Sequence, residues 1–193
     1  HTPYVNGYQD GTFRPEFDLT RGQCAAILAR LTGEFDPEKE YPNAAFPDVR
    51  PNAWYVKYIA FMSQQGLIRG YPDGTFRPDE SITRAEFSVL VSSCLQLDGN
   101  SDSGYPDVQS HWAAGPIGRL TKLSVLNGYP DGTFRPDAPI SRAEAVKILN
   151  GAYRRTPSRE ALADLVNFPD LPSGHWAYHE VLEAAVPHDH PQL

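Results

Sequence analysis

The chain has 193 residues, of which 40% are hydrophobic and 21% charged, a balance typical of a folded protein rather than a disordered one. Its 17 basic and 24 acidic side chains leave a formal charge of −7, so the overall field repels nucleic-acid phosphates and anionic membrane surfaces. No stretch approaches the roughly 18 consecutive apolar residues that a membrane-spanning helix needs. We therefore expect neither a nucleic-acid partner nor membrane insertion.

A nine-residue stretch that occurs three times, here called the nonamer, organises the chain. It reads GYQDGTFRP at residues 7–15 and GYPDGTFRP at residues 70–78 and 128–136. Such copies are the signature of an internal repeat, so function has to be sought in the repeat rather than in single residues. The Pro-Asp-Gly of the last two copies predicts a tight turn. One aspartate per copy offers too few oxygen ligands for a calcium loop.

A helix-start signal follows each nonamer. In such a capping box, a Thr or Ser hydroxyl accepts a hydrogen bond from the third helical amide, and a Glu or Gln side chain reaches back to the cap. Apolar residues then recur at the spacing of an amphipathic helix. These patterns predict three capped helices, which start at Thr20-Arg21-Gly22-Gln23, Thr83-Arg84-Ala85-Glu86 and Ser141-Arg142-Ala143-Glu144. Cys24 and Cys94 lie on their core-facing positions, where buried free thiols are favoured over the alternative of a disulfide.

A second repeated block follows linkers of variable length. It combines an aromatic-Pro-Asp sequence with a tryptophan a few residues later, and apolar residues recur five and eight positions after each tryptophan. This spacing predicts three further helices, here called the tryptophan helices. We expect the aspartates of the block to fix a turn or a helix start. The tryptophans are Trp54, Trp112 and Trp176, and the aspartates are Asp48, Asp107 and Asp170.

The phase of the repeat predicts how the two ends of the chain meet. The first nonamer has no tryptophan helix before it, and the last tryptophan helix has no nonamer after it. A closed pseudo-threefold arrangement would place that last helix beside the first nonamer. We therefore predict an all-α, mostly helical fold with long loops, in which residues 1–193 form one compact unit of three modules. The approximate repeats are 1–45 (completed by 168–187), 46–104 and 105–167.

The repeated motifs F-P-D-V, H-W-A, G-Y-P-D-G-T-F-R-P and I-T-R-A-E resemble those of the S-layer homology family, whose modules fasten proteins to bacterial cell walls. The resemblance covers nearly the whole chain. It implies a pseudo-threefold prism in which one helix per module builds a central three-helix bundle, with the capped helices and loops outside. It also implies an extracellular location at the bacterial cell surface and grooves between modules that bind secondary cell wall polymer, often through pyruvylated N-acetylmannosamine. By this resemblance, the arginines that contact the acidic sugar are Arg84, Arg142 and Arg21.

The chemistry of these residues agrees with that assignment. A pyruvate ketal carries a carboxylate, and an arginine in the first turn of a helix offers a planar fork of donors near the positive end of the helix dipole. A tryptophan ring suits the apolar face of a sugar. Chain order pairs Arg21 with Trp54, Arg84 with Trp112 and Arg142 with Trp176 in three predicted grooves. Secondary ligand candidates are the three aspartates of the block together with Glu86, Glu144, Gln23, Tyr71, Tyr129, Gly70 and Gly128.

Each of these assignments has a structural alternative. The tryptophans are alternatively core residues, the arginines alternatively form salt bridges with loop aspartates, and the glutamates alternatively serve only as caps. Site one, with Arg21 and Trp54, departs most from the family pattern, because Gly22 and Gln23 replace Ala and Glu, and we expect it to be the most degraded. The histidine pair at residues 188–190 could alternatively bind a metal, but we expect a frayed terminus to leave these histidines exposed to solvent.

Enzymes are a function class that the sequence argues against. The motifs G-x-S-x-G and H-E-x-x-H and glycine-rich phosphate loops are absent, and repeated motifs produce equivalent surfaces rather than one asymmetric catalytic centre. We expect neither a cofactor nor a metal. Two alternatives stay open for the ligand: the module is a peptidoglycan-binding tether, or it makes protein–protein contacts in S-layer assembly.

Overall fold

Six helices form the regular structure of a computed structural model that describes residues 2–42, 46–157 and 168–187. The capped helices are α1 (Arg21–Leu31), α3 (Arg84–Cys94) and α5 (Arg142–Ala152), and the tryptophan helices are α2 (Val56–Gln64), α4 (Ala114–Lys122) and α6 (Tyr178–Ala185). Within the described ranges the only β-structure is three isolated bridges, so the prediction of an all-α fold is confirmed. The histidine pair at residues 188–190 lies outside the described residues.

The capped helices begin as their sequences predict. Thr20, Thr83 and Ser141 each accept a hydrogen bond from the third helical amide, and the Gln or Glu at that position bonds back to the cap amide. An α-helix leaves further amides of its first turn without an internal partner. The neighbouring repeat supplies the missing acceptors. The amides of Arg21, Arg84 and Arg142 donate at 2.9 Å to the carbonyls of Glu80, Ala138 and Phe17, respectively.

A closed ring of backbone hydrogen bonds joins the three repeats just before these helices. The amide of Leu19 donates to the Ile140 carbonyl at 2.9 Å, Ile140 to Ile82 at 3.1 Å, and Ile82 back to Leu19 at 2.9 Å. The three side chains are almost fully buried. Because each residue donates to one neighbour and accepts from the other, the ring closes only when all three repeats are in place.

The capped helices lie inside and the tryptophan helices outside, so the arrangement expected from the family resemblance is wrong on this point. Helix α1 packs against α3 and α3 against α5, whereas each tryptophan helix packs against one capped helix. The physical reason is the burial of small residues. Helix α1 buries eight of its eleven residues, including Ala25, Ala26 and Ala29 beyond the predicted apolar stripe, whereas α4 buries three of nine.

The last tryptophan helix, α6, lies beside the first nonamer. The carbonyl of Ala184 accepts hydrogen bonds from the amides of Tyr4 and Val5, at 2.9 and 3.3 Å. The carbonyl of Met62 in α2 accepts the same pair of bonds from the amides of Leu67 and Ile68, which lie just after α2 in the chain. Residues from opposite ends of the sequence therefore make the connection that a continuous chain makes in the other repeats.

Both cysteines are free thiols, as the favoured alternative predicted. Burial raises the pKa of Cys24, and it raises the pKa of Cys94 to about 12. A thiol reacts as its thiolate, so burial favours the unreactive form of both side chains; Cys24 lies in the core and Cys94 packs against it. In the parts of the chain that the structure describes, none of the helices is long and apolar enough to cross a bilayer.

Candidate ligand-binding grooves

The aspartates of the second repeated block hold the nonamers in place. The carboxylate of Asp48 accepts hydrogen bonds from the amides of Phe76 and Arg77, at 2.9 and 2.6 Å. Asp107 and Asp170 make the equivalent bonds. Burial pushes the pKa of Asp107 up, but hydrogen bonds from the backbone amides of Phe134, Arg135 and Asp107 itself outweigh burial and leave that pKa below its usual value. These carboxylates fix turns, as expected of them.

Each nonamer is stabilised by contacts within itself. In the second copy, Asp73 accepts hydrogen bonds from the Thr75 hydroxyl and amide and from the Arg77 guanidinium, and these bonds lower the pKa of Asp73 in that order. Arg77 has a φ of +58°, a left-handed conformation that an L-residue adopts only when its surroundings hold it there. The nonamer is therefore a rigid support for the residues on either side of it.

The glycine that opens each nonamer is needed for close packing. A Cβ atom on Gly70 would lie 2.6 Å from the Phe46 ring and 2.7 Å from the Thr75 carbonyl oxygen. Gly128 is crowded in the same way by Tyr105 and Thr133. The close approach of an aromatic ring accounts for glycine at this position, and both glycines also line grooves.

Three grooves, which we name by their tryptophans, separate neighbouring repeats. Their volumes are about 530 Å³ for the Trp176 groove, 430 Å³ for the Trp112 groove and 370 Å³ for the Trp54 groove. Each combines an arginine from the start of one capped helix with the Glu or Gln and the nonamer tyrosine of the next repeat. The sets are Arg84, Glu144 and Tyr129 with Trp176; Arg21, Glu86 and Tyr71 with Trp112; and Arg142, Gln23 and Tyr8 with Trp54.

The structure overturns the pairing of arginines with tryptophans by chain order. Arg84 shares a groove with Trp176 rather than with Trp112. Arg21 in turn shares a groove with Trp112, and Arg142 with Trp54. The reason is that each arginine points away from its own repeat and bonds to the nonamer loop of the next one. Site one, ranked as the most degraded, is thereby divided: Arg21 and Gln23 line different grooves.

The arginines form the floor of the grooves. Arg84, only 4% exposed, donates from Nε to the Phe134 carbonyl at 2.9 Å and from Nη2 to the Asn127 carbonyl at 3.1 Å. Its Nη1 donates to Glu144 Oε1 at 3.2 Å. Arg21 repeats this pattern with Phe76, Arg69 and Glu86. The salt-bridge alternative is therefore realised in two grooves, with a glutamate of the next helix as partner instead of a loop aspartate.

The glutamates have two structural roles. Besides capping its helix, Glu86 accepts a hydrogen bond of 2.6 Å from the Tyr71 hydroxyl, and Glu144 accepts one of 2.9 Å from Tyr129. Burial raises the pKa of Tyr71 to about 12, with a further contribution from the bond to Glu86. The guanidinium carbon of Arg84 lies 4.8 Å from the Tyr129 ring centre, so arginine, tyrosine and glutamate form one contact network.

The Trp54 groove lacks the ion pair. Arg142 donates from Nε to the Phe13 carbonyl and from Nη2 to the Asn6 carbonyl, both at 2.9 Å, but Gln23 stands where the other grooves have glutamate. Burial lowers the pKa of Arg142, because a guanidinium removed from water loses hydration. Arg142 is thus a buried cation that makes no salt bridge among the described residues, and the charge of Asp170 only partly offsets the effect of burial on its pKa.

The tryptophans lie at the rims of the grooves with more than half of their surface exposed, at 58% for Trp54, 65% for Trp112 and 53% for Trp176. The alternative that they are core residues is therefore wrong. Large exposed aromatic side chains at a groove are typical of ligand-binding surfaces. Lys147 Nζ lies 5.5 Å from the Trp176 ring centre and adds a positive charge to that groove.

Sequence reasoning missed two kinds of groove residue. Tyr8 and Gly7 line the Trp54 groove, and aligning the first nonamer with the other two would have identified them beside Tyr71 and Tyr129. The other kind consists of cations at positions that do not repeat. Arg30 lines the Trp54 groove and Lys147 the Trp176 groove, and no motif marks either residue.

The grooves can bind a ligand that offers flat apolar faces and hydrogen-bond acceptors. Arginine and backbone donors line the floor, and a tryptophan at the rim provides a ring for stacking. Among the described residues, no three or more His, Cys, Asp or Glu side chains are grouped so that they could hold a metal ion.

Comparison with known proteins identifies the family of the chain. A sequence model of the S-layer homology domain matches residues 4–25, 45–88 and 104–146. The chain is 37% identical over 198 residues to a cellulosome-anchoring protein of Acetivibrio thermocellus, covering 98% of the chain and 43% of that protein. It is 37% identical over 202 residues to cell surface glycoprotein 1 of the same organism, covering 98% of the chain and 9% of the relative. It is also 34% identical over 134 residues to an S-layer protein of Bacillus licheniformis, covering 68% of the chain and 15% of that protein. The chain therefore spans less than half the length of these relatives.

Proposed function

Because the chain belongs to the S-layer homology family, we propose that it attaches a larger protein to the bacterial cell wall by holding an acidic polysaccharide in its three grooves. The observation that carries this proposal is the combination, three times over, of an exposed tryptophan with a buried arginine and a nonamer loop. Sugar rings would stack on the tryptophans, and the polar floor would receive their acceptor groups.

Several observations support an anchoring role. The matched relatives are a cellulosome-anchoring protein, a cell surface glycoprotein and an S-layer protein, and membership of their family goes with an extracellular location at the bacterial cell wall. Three similar grooves suit a repeating polymer, because weak contacts to one polymer chain add through effective concentration. Surfaces that recur three times also fit a purely binding role, because catalysis requires a single asymmetric centre. The pyruvate ketal of N-acetylmannosamine is the substituent we propose as the acidic group.

Tryptophan variants test this function better than arginine variants. Arg84→Ala would remove three contacts between repeats as well as any contact to a ligand. Trp112 and Trp176 are more than half exposed, so their replacement by Ala should change the free energy of unfolding by less than about 0.5 kcal/mol. We expect W112A/W176A to bind isolated cell walls at least tenfold more weakly, on the scale of two lost stacking contacts of about 1 kcal/mol each.

The experiment is a sedimentation assay with walls before and after extraction of the secondary polymer. Binding that requires the polymer and the tryptophans supports the proposal. Undiminished binding to extracted walls would point to peptidoglycan, and binding to other surface-layer proteins in the absence of walls would point to assembly; either result overturns the proposal. A matched control is Leu123→Ala, which removes an exposed apolar side chain that is not among the lining residues of the three grooves.

A further inference from the structure

The Trp54 groove differs from the other two at one atom of its floor. In those grooves, Nη1 of the arginine donates to a glutamate at 3.2 Å. Arg142 occupies the same position in the Trp54 groove, is only 4% exposed, and its Nη1 makes no hydrogen bond with any residue that the structure describes. A buried guanidinium with donors that lack a partner is costly unless something outside the chain provides the acceptor.

Where the other two grooves have a glutamate carboxylate, which accepts hydrogen bonds, the Trp54 groove has the Gln23 amide, which can donate them. Its Oε1 accepts a hydrogen bond from the Thr20 amide at 3.3 Å, the bond that completes the capping box. That bond directs Nε2 toward Tyr8, to whose hydroxyl it donates at 3.1 Å. Because Tyr8 accepts from Gln23, its own hydroxyl hydrogen is available to a ligand, whereas the hydroxyl of Tyr71 donates to Glu86.

The charges that line the three grooves reinforce the difference. Arg142 and Arg30 line the Trp54 groove, and no acidic residue lines it. The Trp112 and Trp176 grooves each contain a glutamate that already neutralises the arginine of the floor. An incoming carboxylate would be repelled by that glutamate in two grooves, although Arg69 also lines the Trp112 groove and Lys147 the Trp176 groove, whereas the third groove is lined by two arginines and no acidic residue.

We propose that the Trp54 groove is the one that binds the anionic substituent of the polysaccharide, through Arg142 Nη1, Gln23 Nε2 and the Tyr8 hydroxyl, and that Gln23 determines this preference. The Trp112 and Trp176 grooves then hold the uncharged parts of the polymer or bind the anion more weakly. This inference rests on the proposed function. It reverses the expectation that replacing Glu by Gln at position 23 weakens a site.

The three tryptophans allow each groove to be followed separately. The chain has three tryptophans, one for each groove, so the three indole N–H signals in a nitrogen-correlated NMR spectrum report on the three grooves once single Trp→Phe variants assign them. The probes are N-acetylmannosamine with a pyruvate ketal, the same sugar without the ketal, and sulfate. We expect the Trp54 signal to saturate at a ketal-sugar concentration at least tenfold lower than the other two signals.

The decisive test exchanges Gln and Glu at position 23 and at its equivalents, 86 and 144. Gln23→Glu should raise the Kd of the ketal sugar at the Trp54 signal about tenfold or more, as expected when a like charge is placed beside the ligand. The variant should fold normally, because Glu completes the capping box in the other two repeats. Glu86→Gln and Glu144→Gln are the matched exchanges, and each should tighten binding of the ketal sugar at its own signal.

The outcomes separate the inference from the proposed function. Equal titration of all three signals, or a Gln23→Glu variant with unchanged affinity at Trp54, overturns the inference while wall binding through the grooves stands. Tight binding of sulfate alone at Trp54, with no gain from the sugar, identifies a site for free anions and also overturns it. If no indole signal responds although the module sediments with walls, the location of binding in the grooves is wrong, and both proposals fail.

Discussion

Two ways of joining a tryptophan helix to a nonamer coexist in this molecule. Helices α2 and α4 continue along the chain into their nonamers, whereas α6 meets the first nonamer from the opposite end of the sequence. All three junctions share one set of contacts. An aspartate accepts hydrogen bonds from two nonamer amides, and a carbonyl of the helix accepts two from amides that precede the nonamer. We call the first two the continuous junctions and the third the split junction.

The split junction carries a polar network of its own. Arg155 donates from Nε to the carboxylate of Glu183 at 3.2 Å and from Nη1 to the Thr2 carbonyl at 3.1 Å, and Glu183 is fully buried. The Tyr4 hydroxyl donates to Asn150 Oδ1 at 2.7 Å. At the positions equivalent to Glu183 and Asn150, the first continuous junction has Phe61 and Ala29, and the second has Arg119 and Ser92, joined by one hydrogen bond of 3.1 Å.

Chain connectivity changes how much entropy is lost when a junction forms. In a continuous junction the helix and the nonamer are neighbours in sequence, so little entropy is lost when they meet. The split junction closes nearly the full length of the chain, so its helix and its nonamer are held together by noncovalent contacts alone. The hydrogen bonds from Arg155 to the Thr2 carbonyl and from Tyr4 to Asn150 form only when both ends are in place, so they offset part of that entropy, whereas the Arg155–Glu183 ion pair lies on the C-terminal side and holds Arg155 in position.

The largest effect is expected from breaking the buried ion pair of the split junction. Arg155→Ala removes the ion-pair partner of a fully buried carboxylate and should lower the free energy of unfolding by about 3 kcal/mol, measured by urea denaturation. R155M/E183M removes both charges and should recover part of the loss. If Arg155→Ala costs less than about 1 kcal/mol, the network does not hold the split junction together.

The shared aspartates allow a direct comparison of the two kinds of junction. Asp170→Asn in the split junction and Asp107→Asn in a continuous one each weaken two bonds to backbone amides and should each cost about 1 to 2 kcal/mol. We expect Asp170→Asn also to accelerate hydrogen exchange at the Phe13 amide before global unfolding, because the ends can separate locally. Equal exchange behaviour of Phe13 and Phe134 in their respective variants would contradict a special role for connectivity.

A smaller loss of stability is expected from Tyr4→Phe, which removes one buried hydroxyl and leaves the ring in place. The change deletes the bond to Asn150 and should cost about 1 kcal/mol. Thermal unfolding followed by circular dichroism provides the measurement. Tyr58→Phe, which removes a hydroxyl bonded to Arg30 at a more exposed position, is the control and should have less effect.

The smallest effect is expected from the nonamer aspartates, which are the same in both kinds of junction. Hydrogen bonds from Thr12 and then the Arg14 guanidinium lower the pKa of Asp10 to about 2, and Asp73 is lowered in the same way. A lowered pKa in the folded state adds stability above pH about 4 that is lost as the pH falls through about 2. Asp10→Asn and Asp73→Asn should therefore reduce the acid dependence of unfolding equally. A difference between them would show that the split junction also strains its nonamer.

Much of the local structure was predictable because it depends on neighbours in sequence. A capping box joins residues three apart, as in Thr83 and Glu86, and the turn at Tyr71 to Gly74 closes with one hydrogen bond of 2.9 Å. The number of helices, their starts and the free thiols followed from such patterns. The three candidate arginines and tryptophans do line grooves, although their role in binding stays a prediction.

The arrangement of these pieces was less accessible to sequence reasoning. The expected position of the capped helices was wrong because small buried residues place them inside. The pairing of the groove residues was wrong for a different reason. Repeats related by a pseudo-threefold axis look alike in sequence, so a motif does not reveal which neighbour its side chain contacts. Arg84, for example, reaches Phe134 fifty positions further along the chain, and nothing near Arg84 in the sequence indicates that direction.

The elements that follow from the sequence are those that short-range hydrogen bonds create: three capping boxes, three turns and six amphipathic helices. Tertiary packing set which helices are inside and that each arginine belongs to the groove of the next repeat. It also decided that Gln23 faces Arg142 instead of Arg21. These outcomes depend on packing between repeats, where burial and the satisfaction of distant donors, rather than local propensity, set the energy.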